Sequence, residues 1–92
     1  MATNLYKTIL ENTQVSTTEC YLDGVELSHT GNTNLKVYDI TNITAVSGNL
    51  VSTTQTTAYN RQNSITFPKG GIKMQGIWVD WTAGVGTVYY HY

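Results

Sequence analysis

Cysteine is nearly missing from this sequence, and its scarcity removes two common ways of stabilising a small fold. The chain has one cysteine, Cys20, which cannot form an internal disulfide. It also lacks the spaced Cys and His residues of a zinc site, so we expect no metal and no cofactor. A single domain of 92 residues buries only roughly 60–65% of its unfolded surface. Association with further copies is the stabilising device that remains.

Charge is also scarce. Charged residues make up 12% of the chain, against roughly 25% in ordinary domains, and Thr and Asn are abundant in their place. Five basic and six acidic residues give a net charge of -1, so no basic field exists to attract phosphates, and nucleic acid is not an expected partner. A nearly neutral surface suits a protein that repeats side by side.

Long apolar runs are absent as well. No segment approaches the roughly 20 apolar residues that span a bilayer, so a membrane is not an expected partner. Residues 1–4 lack the basic and apolar regions of a signal peptide. We therefore expect a protein that is made in the cytoplasm and stays soluble until it assembles.

What the sequence does contain is β-strand alternation, most clearly between residues 63 and 92. In residues 77–81, Ile77, Val79 and Trp81 alternate with Trp78 and Asp80, the period of two that is typical of a half-buried strand. Residues 82–86 supply glycines for a reversal, and residues 87–92 are again β-branched and aromatic. The pattern predicts that residues 77–81 and 87–92 pair as an antiparallel hairpin.

The rest of the chain predicts short strands and no significant helix. Apolar alternation in residues 18–29 changes parity at Asp23-Gly24, which indicates either a bulge in one long strand or a tight Asp-Gly hairpin. Residues 39–48 and 54–62 are polar and predict connections. The other predicted strands are residues 5–10, 34–39, 49–53 and 63–67. The expected fold is a single all-β domain over residues 1–92, a small antiparallel β-sandwich or jelly-roll-like barrel of about seven or eight strands.

Catalytic motifs are not evident, and we do not expect an enzyme. The candidate bases, His29 and His91, each lie on a predicted strand without a surrounding motif. The glycines of residues 70–71 and 84–86 lack the lysine and the helix of a phosphate-binding loop, so they predict turns. Cys20 lies in an apolar stretch and is expected in the core. Three carboxylates lie near predicted bends or strand ends and are expected to cap backbone N–H groups: Asp23, Asp39 and Asp80.

Aromatic residues are the main functional candidates. Seven Tyr and two Trp cannot all lie inside so small a domain. If Val79 faces the core, Trp78 points outward, which favours a protein–protein contact; alternatively, Trp78 packs under a neighbouring loop. A second interpretation is a sugar site, built from one aromatic cluster and the nearest polar side chains: Tyr89, Tyr90, Tyr92, Asp80 and His91.

A run of segments carries a resemblance to a known group of proteins. Residues 24–27, 35–39, 67–68, 71–80 and 86–90 resemble small β-sandwich proteins that are common in the genomes of tailed bacteriophages and are often virion components. The motifs within this run are Val37-Tyr38-Asp39, residues 71–79 (GIKMQGIWV) and Thr87-Val88-Tyr89-Tyr90. The resemblance covers roughly two-thirds of the chain. Residues 42–62 depart most from it, and partner contacts are expected there.

The resemblance implies a virion role without catalytic residues. The implied function is a capsid decoration or cement protein on the outer surface of the capsid, a homo-oligomer and specifically a trimer, which binds across subunits of the major capsid protein. A tail, connector or head-fibre component and a carbohydrate-binding β module are the alternatives. The candidate interface residues are Leu5 and Tyr6, as an N-terminal arm, and Arg61, Trp78, Tyr89 and His91.

Overall fold

The computed structural model describes residues 5–41 and 47–92 and shows two antiparallel β-sheets with the core between them. This arrangement confirms the predicted all-β sandwich. The described residues form nine strands, slightly more than the seven or eight expected: β1 (Leu5–Ile9), β2 (Thr13–Ser16), β3 (Cys20–Ser28), β4 (Thr33–Tyr38), β5 (Leu50–Thr56), β6 (Gln62–Thr66), β7 (Ile72–Met74), β8 (Ile77–Trp81) and β9 (Val85–His91).

The two sheets divide the strands unevenly. Sheet A has five strands in the order β1-β9-β3-β6, with β7 also pairing with β3, and sheet B has the order β2-β8-β4-β5. The core between them consists mainly of aliphatic side chains from both sheets: Ile9, Cys20, Leu22, Val25, Leu27, Leu35, Val37, Met74, Ile77, Val79 and Val88. Cys20 is fully buried there, as predicted.

Strand β3 contains the predicted irregularity. It runs without interruption from Cys20 to Ser28, and its pairing with β9 shifts register between Leu22 and Gly24. Leu22 and Val25 are both buried, although their positions differ in parity, because the extra residue changes the face toward which later side chains point. The bulge interpretation is confirmed and the Asp-Gly hairpin is excluded.

The predicted C-terminal hairpin is wrong. β8 pairs with β2 and β4 in sheet B, whereas β9 pairs with β1 and β3 in sheet A. The intervening turn therefore crosses from one sheet to the other. Gly84 shapes this crossing with a φ of 87°, and its carbonyl accepts a hydrogen bond of 2.9 Å from Nε1 of Trp81.

Two polar segments are more ordered than predicted. Residues 54–62 were expected to form a loop, but β5 extends to Thr56 and β6 begins at Gln62. Three hydroxyl side chains of β5 are buried at alternating positions: Ser52, Thr54 and Thr56. In the predicted connection of residues 39–48, residues 42–46 lie outside the described part of the chain, and a short 3-10 helix covers Ser47–Asn49.

Strand β7 was not predicted, and β2 was predicted only as one of two alternatives. β2 lies within the polar residues 11–17, whose pattern allows a loop or the start of a strand, and β7 lies within the glycine-flanked residues 70–76. Both are short, with four and three residues, and each pairs with a longer strand that the sequence does predict. Such short segments offer too few alternating positions for a pattern to be recognised.

Candidate functional site

The outer face of sheet A, which points away from the core, carries most of the exposed aromatic side chains that the sequence singled out. In β9, Val88 is buried in the core, so its neighbours Thr87 and Tyr89 point outward, and so does His91. The register of sheet A places these side chains beside others that also point outward from β1, β3, β6 and β7: Tyr6, Thr8, Tyr21, Asp23, Glu26, Ser64, Thr66 and Lys73.

One row of paired residues crosses four strands of this face. Tyr6 pairs with Tyr89, Tyr89 with Gly24, and Gly24 with Thr66. Because neighbouring strands lie about 4.8 Å apart, the Cα atoms of Tyr89 and Thr66 are separated by about 10 Å. Gly24 has no side chain to occupy the space between them, so the row contains a depression.

This depression is a cavity of about 240 Å³. Gly24 forms its floor, Tyr89 lies on the β9 side, and residues 64–66 of β6 lie on the other side. Two carboxylate side chains of β3, Asp23 and Glu26, complete the lining. The lining therefore combines one aromatic ring, two acidic groups and two hydroxyl groups.

Glycine is required at position 24 for a second reason. A Cβ atom added there would lie 2.9 Å from the backbone carbonyl oxygen of Ile65, closer than real Cβ contacts come. A larger residue would push β6 away from β3 as well as fill the cavity. The cavity and the pairing of these two strands therefore depend on the same glycine.

Tyr89 and Glu26 are coupled at the edge of this cavity. Partial desolvation raises the pKa of Tyr89, and a side-chain hydrogen bond to Glu26 and the charge of that carboxylate raise it further. The neutral form of the Tyr89 hydroxyl is therefore favoured beside the Glu26 carboxylate.

A second cluster lies beside the cavity. Nδ1 of His91 is 2.7 Å from Oδ2 of Asp23, and the two side chains are 15% and 25% exposed. The His91 ring stacks on Tyr21, its partner across the strands, with centroids 5.0 Å apart and an interplanar angle of 13°. Asp23 is the extra residue of the β3 bulge, which places its carboxylate on the outer face within reach of His91. The expected capping of a local N–H group by Asp23 is replaced by this cross-strand pair.

An apolar strip lies along the other half of the same face. It consists of Tyr6 (71% exposed), Leu10 (59%) and Val85 (50%). Ile9 is the last residue of β1 and pairs with Gly86, so Leu10 and Val85 lie side by side just beyond that pair. Tyr6 lies farther along β1, and the outward-facing pair Thr8 and Thr87 separates it from Leu10 and Val85. Large exposed side chains on one face of a sheet mark a candidate contact surface.

The predicted interface residues are distributed over several surfaces. Tyr6, Tyr89 and His91 share the outer face of sheet A, and Leu5 lies next to Tyr6 in β1, where it pairs with Tyr90. Arg61 is exposed in the turn between β5 and β6, where its backbone carbonyl accepts a hydrogen bond of 2.9 Å from the His29 N–H. These positions do not form one continuous patch.

The prediction of an exposed Trp78 is wrong. Trp78 is only 9% exposed, although it alternates with the core residues Ile77 and Val79. Its partners across the strands are Gln14 of β2 and Tyr38 of β4, and Tyr38 is also buried. The alternative interpretation, in which Trp78 is a packed residue, agrees with this burial.

The sugar site that the sequence suggested does not assemble. Tyr89 points outward, whereas its neighbour Tyr90 packs against the core. Asp80 belongs to sheet B. Tyr92 contacts Tyr90 edge-on, and its hydroxyl lies 3.3 Å from that of Ser16. Only Tyr89 and His91 of that group remain on one face.

The other polar residues that the sequence singled out include Asp39, whose hydrogen bond has a structural role. Oδ1 of Asp39 accepts a hydrogen bond of 2.7 Å from the backbone N–H of Gln75, so this carboxylate does cap an N–H group, although a distant one in sequence. Among residues 5–41 and 47–92, no group of three or more His, Cys, Asp or Glu side chains is placed to hold a metal ion. The same residues contain no helix long and apolar enough to cross a membrane.

The sequence reasoning missed the cavity beside Gly24. Ser64 and Thr66 lie on a predicted strand, residues 63–67, but two hydroxyl side chains on a strand form no recognisable binding motif. The available signal was the alternation in β6 together with the Asp23-Gly24 bulge, since a glycine at an outward position of a central strand leaves a gap between its neighbours.

Comparisons with known proteins give no match: no family model, no curated protein and no solved structure shows significant similarity to this chain.

Proposed function

We propose that this chain is a non-enzymatic structural protein of a bacteriophage virion, of the capsid decoration or cement type. It associates with further copies of itself, as a trimer, and binds across subunits of the major capsid protein on the outer surface of the capsid. The observation that carries the proposal is the apolar strip of Tyr6, Leu10 and Val85 on the outer face of sheet A. The resemblance to phage virion proteins supports a location on the virion.

The strip suits a weak and repeated contact. Fully burying an aliphatic or aromatic side chain contributes about 1.5–3 kcal/mol, and these side chains are between half and three-quarters exposed, so each gains about 1 kcal/mol when covered. The loss of translational and rotational freedom on association costs roughly 4–15 kcal/mol. Two strips in contact give a gain of the same order as the lower end of that cost, so an isolated pair is marginal.

Repetition on a shell changes this balance. Once one contact of a subunit is formed, the next is intramolecular, and many weak contacts sum to high avidity. The low charge of the chain, -1 over 92 residues, allows many copies to lie together without accumulating repulsion. A tail, connector or head-fibre component is the second candidate, because a neutral, repeating β module also suits those assemblies.

Quantitative mass spectrometry of purified particles tests the proposal. The copy number of this chain is compared with that of the major capsid protein. A comparable number supports a decoration role over the shell, and a far lower number supports the tail, connector or fibre alternative. Absence from particles contradicts the virion proposal.

Sedimentation of strip variants tests the contact surface. The wild-type protein should self-associate at concentrations of hundreds of micromolar, and Tyr6→Ser combined with Leu10→Ser should abolish this association. Tyr59→Ser is the matched control, because Tyr59 is fully exposed in the turn between β5 and β6, away from the strip. Equal association of all three proteins would contradict the role of the strip.

A further inference from the structure

We propose that the cavity beside Gly24 binds a single pyranose ring of a neutral glycan. This function goes beyond the structural role proposed above, because it requires neither self-association nor a capsid. It rests on the shape of the cavity, on the pairing of an aromatic ring with oriented hydrogen-bonding groups, and on the position of the cavity relative to the apolar strip.

The size of the cavity suits one sugar ring. Sites for drug-sized ligands enclose roughly 300–1,000 Å³, and this cavity of about 240 Å³ is somewhat smaller. Its floor is the backbone at Gly24, so a ring can approach the sheet closely between Tyr89 and Thr66. The flat outer face of the sheet leaves room for the rest of a glycan to extend beyond the site.

The lining is chemically complementary to a pyranose. One face of such a ring presents C–H groups that pack on an aromatic side chain, here Tyr89. Its hydroxyl groups require acceptors and donors, which the carboxylates of Asp23 and Glu26 and the hydroxyls of Ser64 and Thr66 provide.

One of the two carboxylates is held in place before any ligand arrives. Asp23 is paired with His91 at 2.7 Å. Each carboxylate retains further acceptor positions, because an ionised carboxyl group can accept about four hydrogen bonds. Acceptors that are already oriented lose less conformational freedom when a ligand binds.

A small cation is the competing guest, because two carboxylates line the cavity. One tyrosine lines the cavity, so the aromatic cage that holds quaternary ammonium ligands is absent. The hydroxyls of Ser64 and Thr66 can pair with the hydroxyl groups of a sugar, which favours a neutral ligand.

The cavity and most of the apolar strip lie at different ends of β9. Tyr89 lines the cavity and is next to Tyr6, whereas Leu10 lies beside Val85 at the start of β9. Copies that contact one another through Leu10 and Val85 can therefore leave the cavity open. An array of weak sugar sites would gain avidity from repetition.

Titration of the isotope-labelled protein with methyl glycosides of glucose, galactose, mannose and N-acetylglucosamine tests the proposal by nuclear magnetic resonance. At least one sugar should produce saturable shifts of the amide signals of Gly24, Ser64, Thr66 and Tyr89. Tyr89→Ala should abolish these shifts. Tyr6→Ala is the matched control, because Tyr6 pairs with Tyr89 across the strands but does not line the cavity, and it should bind as well as wild type.

Variants at exposed or half-buried positions keep the test valid if Tyr89→Ala does not fold. Glu26→Gln and Ser64→Ala should each weaken sugar binding at least threefold while the amide spectrum remains that of a folded protein. Titration with ethylammonium or methylguanidinium tests the alternative that the cavity binds a cation. Saturable shifts at the cavity with a cation and with none of the sugars would overturn the proposal, and so would the absence of saturable shifts with every sugar.

Discussion

Asp23 and His91 lie 68 positions apart in the sequence, and their side chains meet at 2.7 Å on the outer face of sheet A. The contact exists because the β3 bulge places the Asp23 carboxylate on the same face as His91. The side chains of Asp23 and His91 are 25% and 15% exposed, so water screens the interaction only partly. The bulge therefore connects the middle of β3 to the end of β9 through side chains as well as through the backbone.

We expect the pair to contribute measurably to stability. Asp23→Ala and His91→Ala should each lower the free energy of unfolding by about 1–2 kcal/mol, because a partly buried hydrogen bond to a charged group is lost. The double variant should show a coupling of about 1 kcal/mol in urea denaturation. The exposed pair of Lys73 and Glu19, at 2.8 Å, is the control and should show no measurable coupling. Independent effects of the two substitutions would contradict this interpretation.

Gly24→Ala should destabilise the protein by about 1–3 kcal/mol. The added Cβ would meet the carbonyl oxygen of Ile65 at 2.9 Å, and the pairing of β3 with β6 must give way. Gly31→Ala is the matched control, since an added Cβ there meets nothing within 4 Å. Thermal unfolding of both variants measures the difference. Equal stabilities would show that β6 moves freely to accommodate the methyl group.

Trp78 should behave as a structural residue. Trp78→Ala is expected to cost about 3–5 kcal/mol of unfolding free energy, because a side chain that is only 9% exposed leaves a cavity when truncated. Denaturant titration measures this loss, and acrylamide quenching of a Trp81→Phe variant reports on Trp78 alone. Poor quenching is expected. Strong quenching together with an unchanged stability would restore the interpretation of Trp78 as an exposed contact residue.

Cys20 should resist alkylation in the native protein. Its side chain is fully buried, and desolvation, with a smaller contribution from Asp39, raises the pKa of the thiol although Ser16 opposes the shift. Since the thiolate is the reactive form, iodoacetamide should modify the native protein slowly at pH 8 and the urea-unfolded protein rapidly. Comparable rates in the two states would contradict the burial of Cys20.

Periodicity predicted the strands but not their partners. The parity change at Asp23-Gly24 identified the β3 bulge, because alternation responds directly to an inserted residue. The same alternation in residues 77–81 and 85–91 could not reveal that β8 and β9 belong to different sheets. A hairpin turn and a crossing turn between two sheets can have the same length and glycine content.

The sequence predicted the end of β5 too early because the last buried side chains of this strand are hydroxyl-bearing. Thr54 and Thr56 are buried at alternating positions, but a count of apolar residues treats them as polar. The candidate site could not be predicted from the sequence either. A cavity above a glycine depends on which strands lie on either side of that glycine. That neighbourhood is set by tertiary pairing between β3, β6 and β9 rather than by any local pattern.

The pairing of β1 with β9 affects how the chain can fold while it is synthesised on the ribosome. β9 lies between β1 and β3 in sheet A, so β1 has its sheet neighbour only after residues 85–91 have left the exit tunnel. The growing chain must therefore hold Leu5–Ile9 without its sheet neighbour until β9 has emerged. Premature termination before Val85 would leave nascent chains that lack a central strand and expose the core to chaperones and proteases.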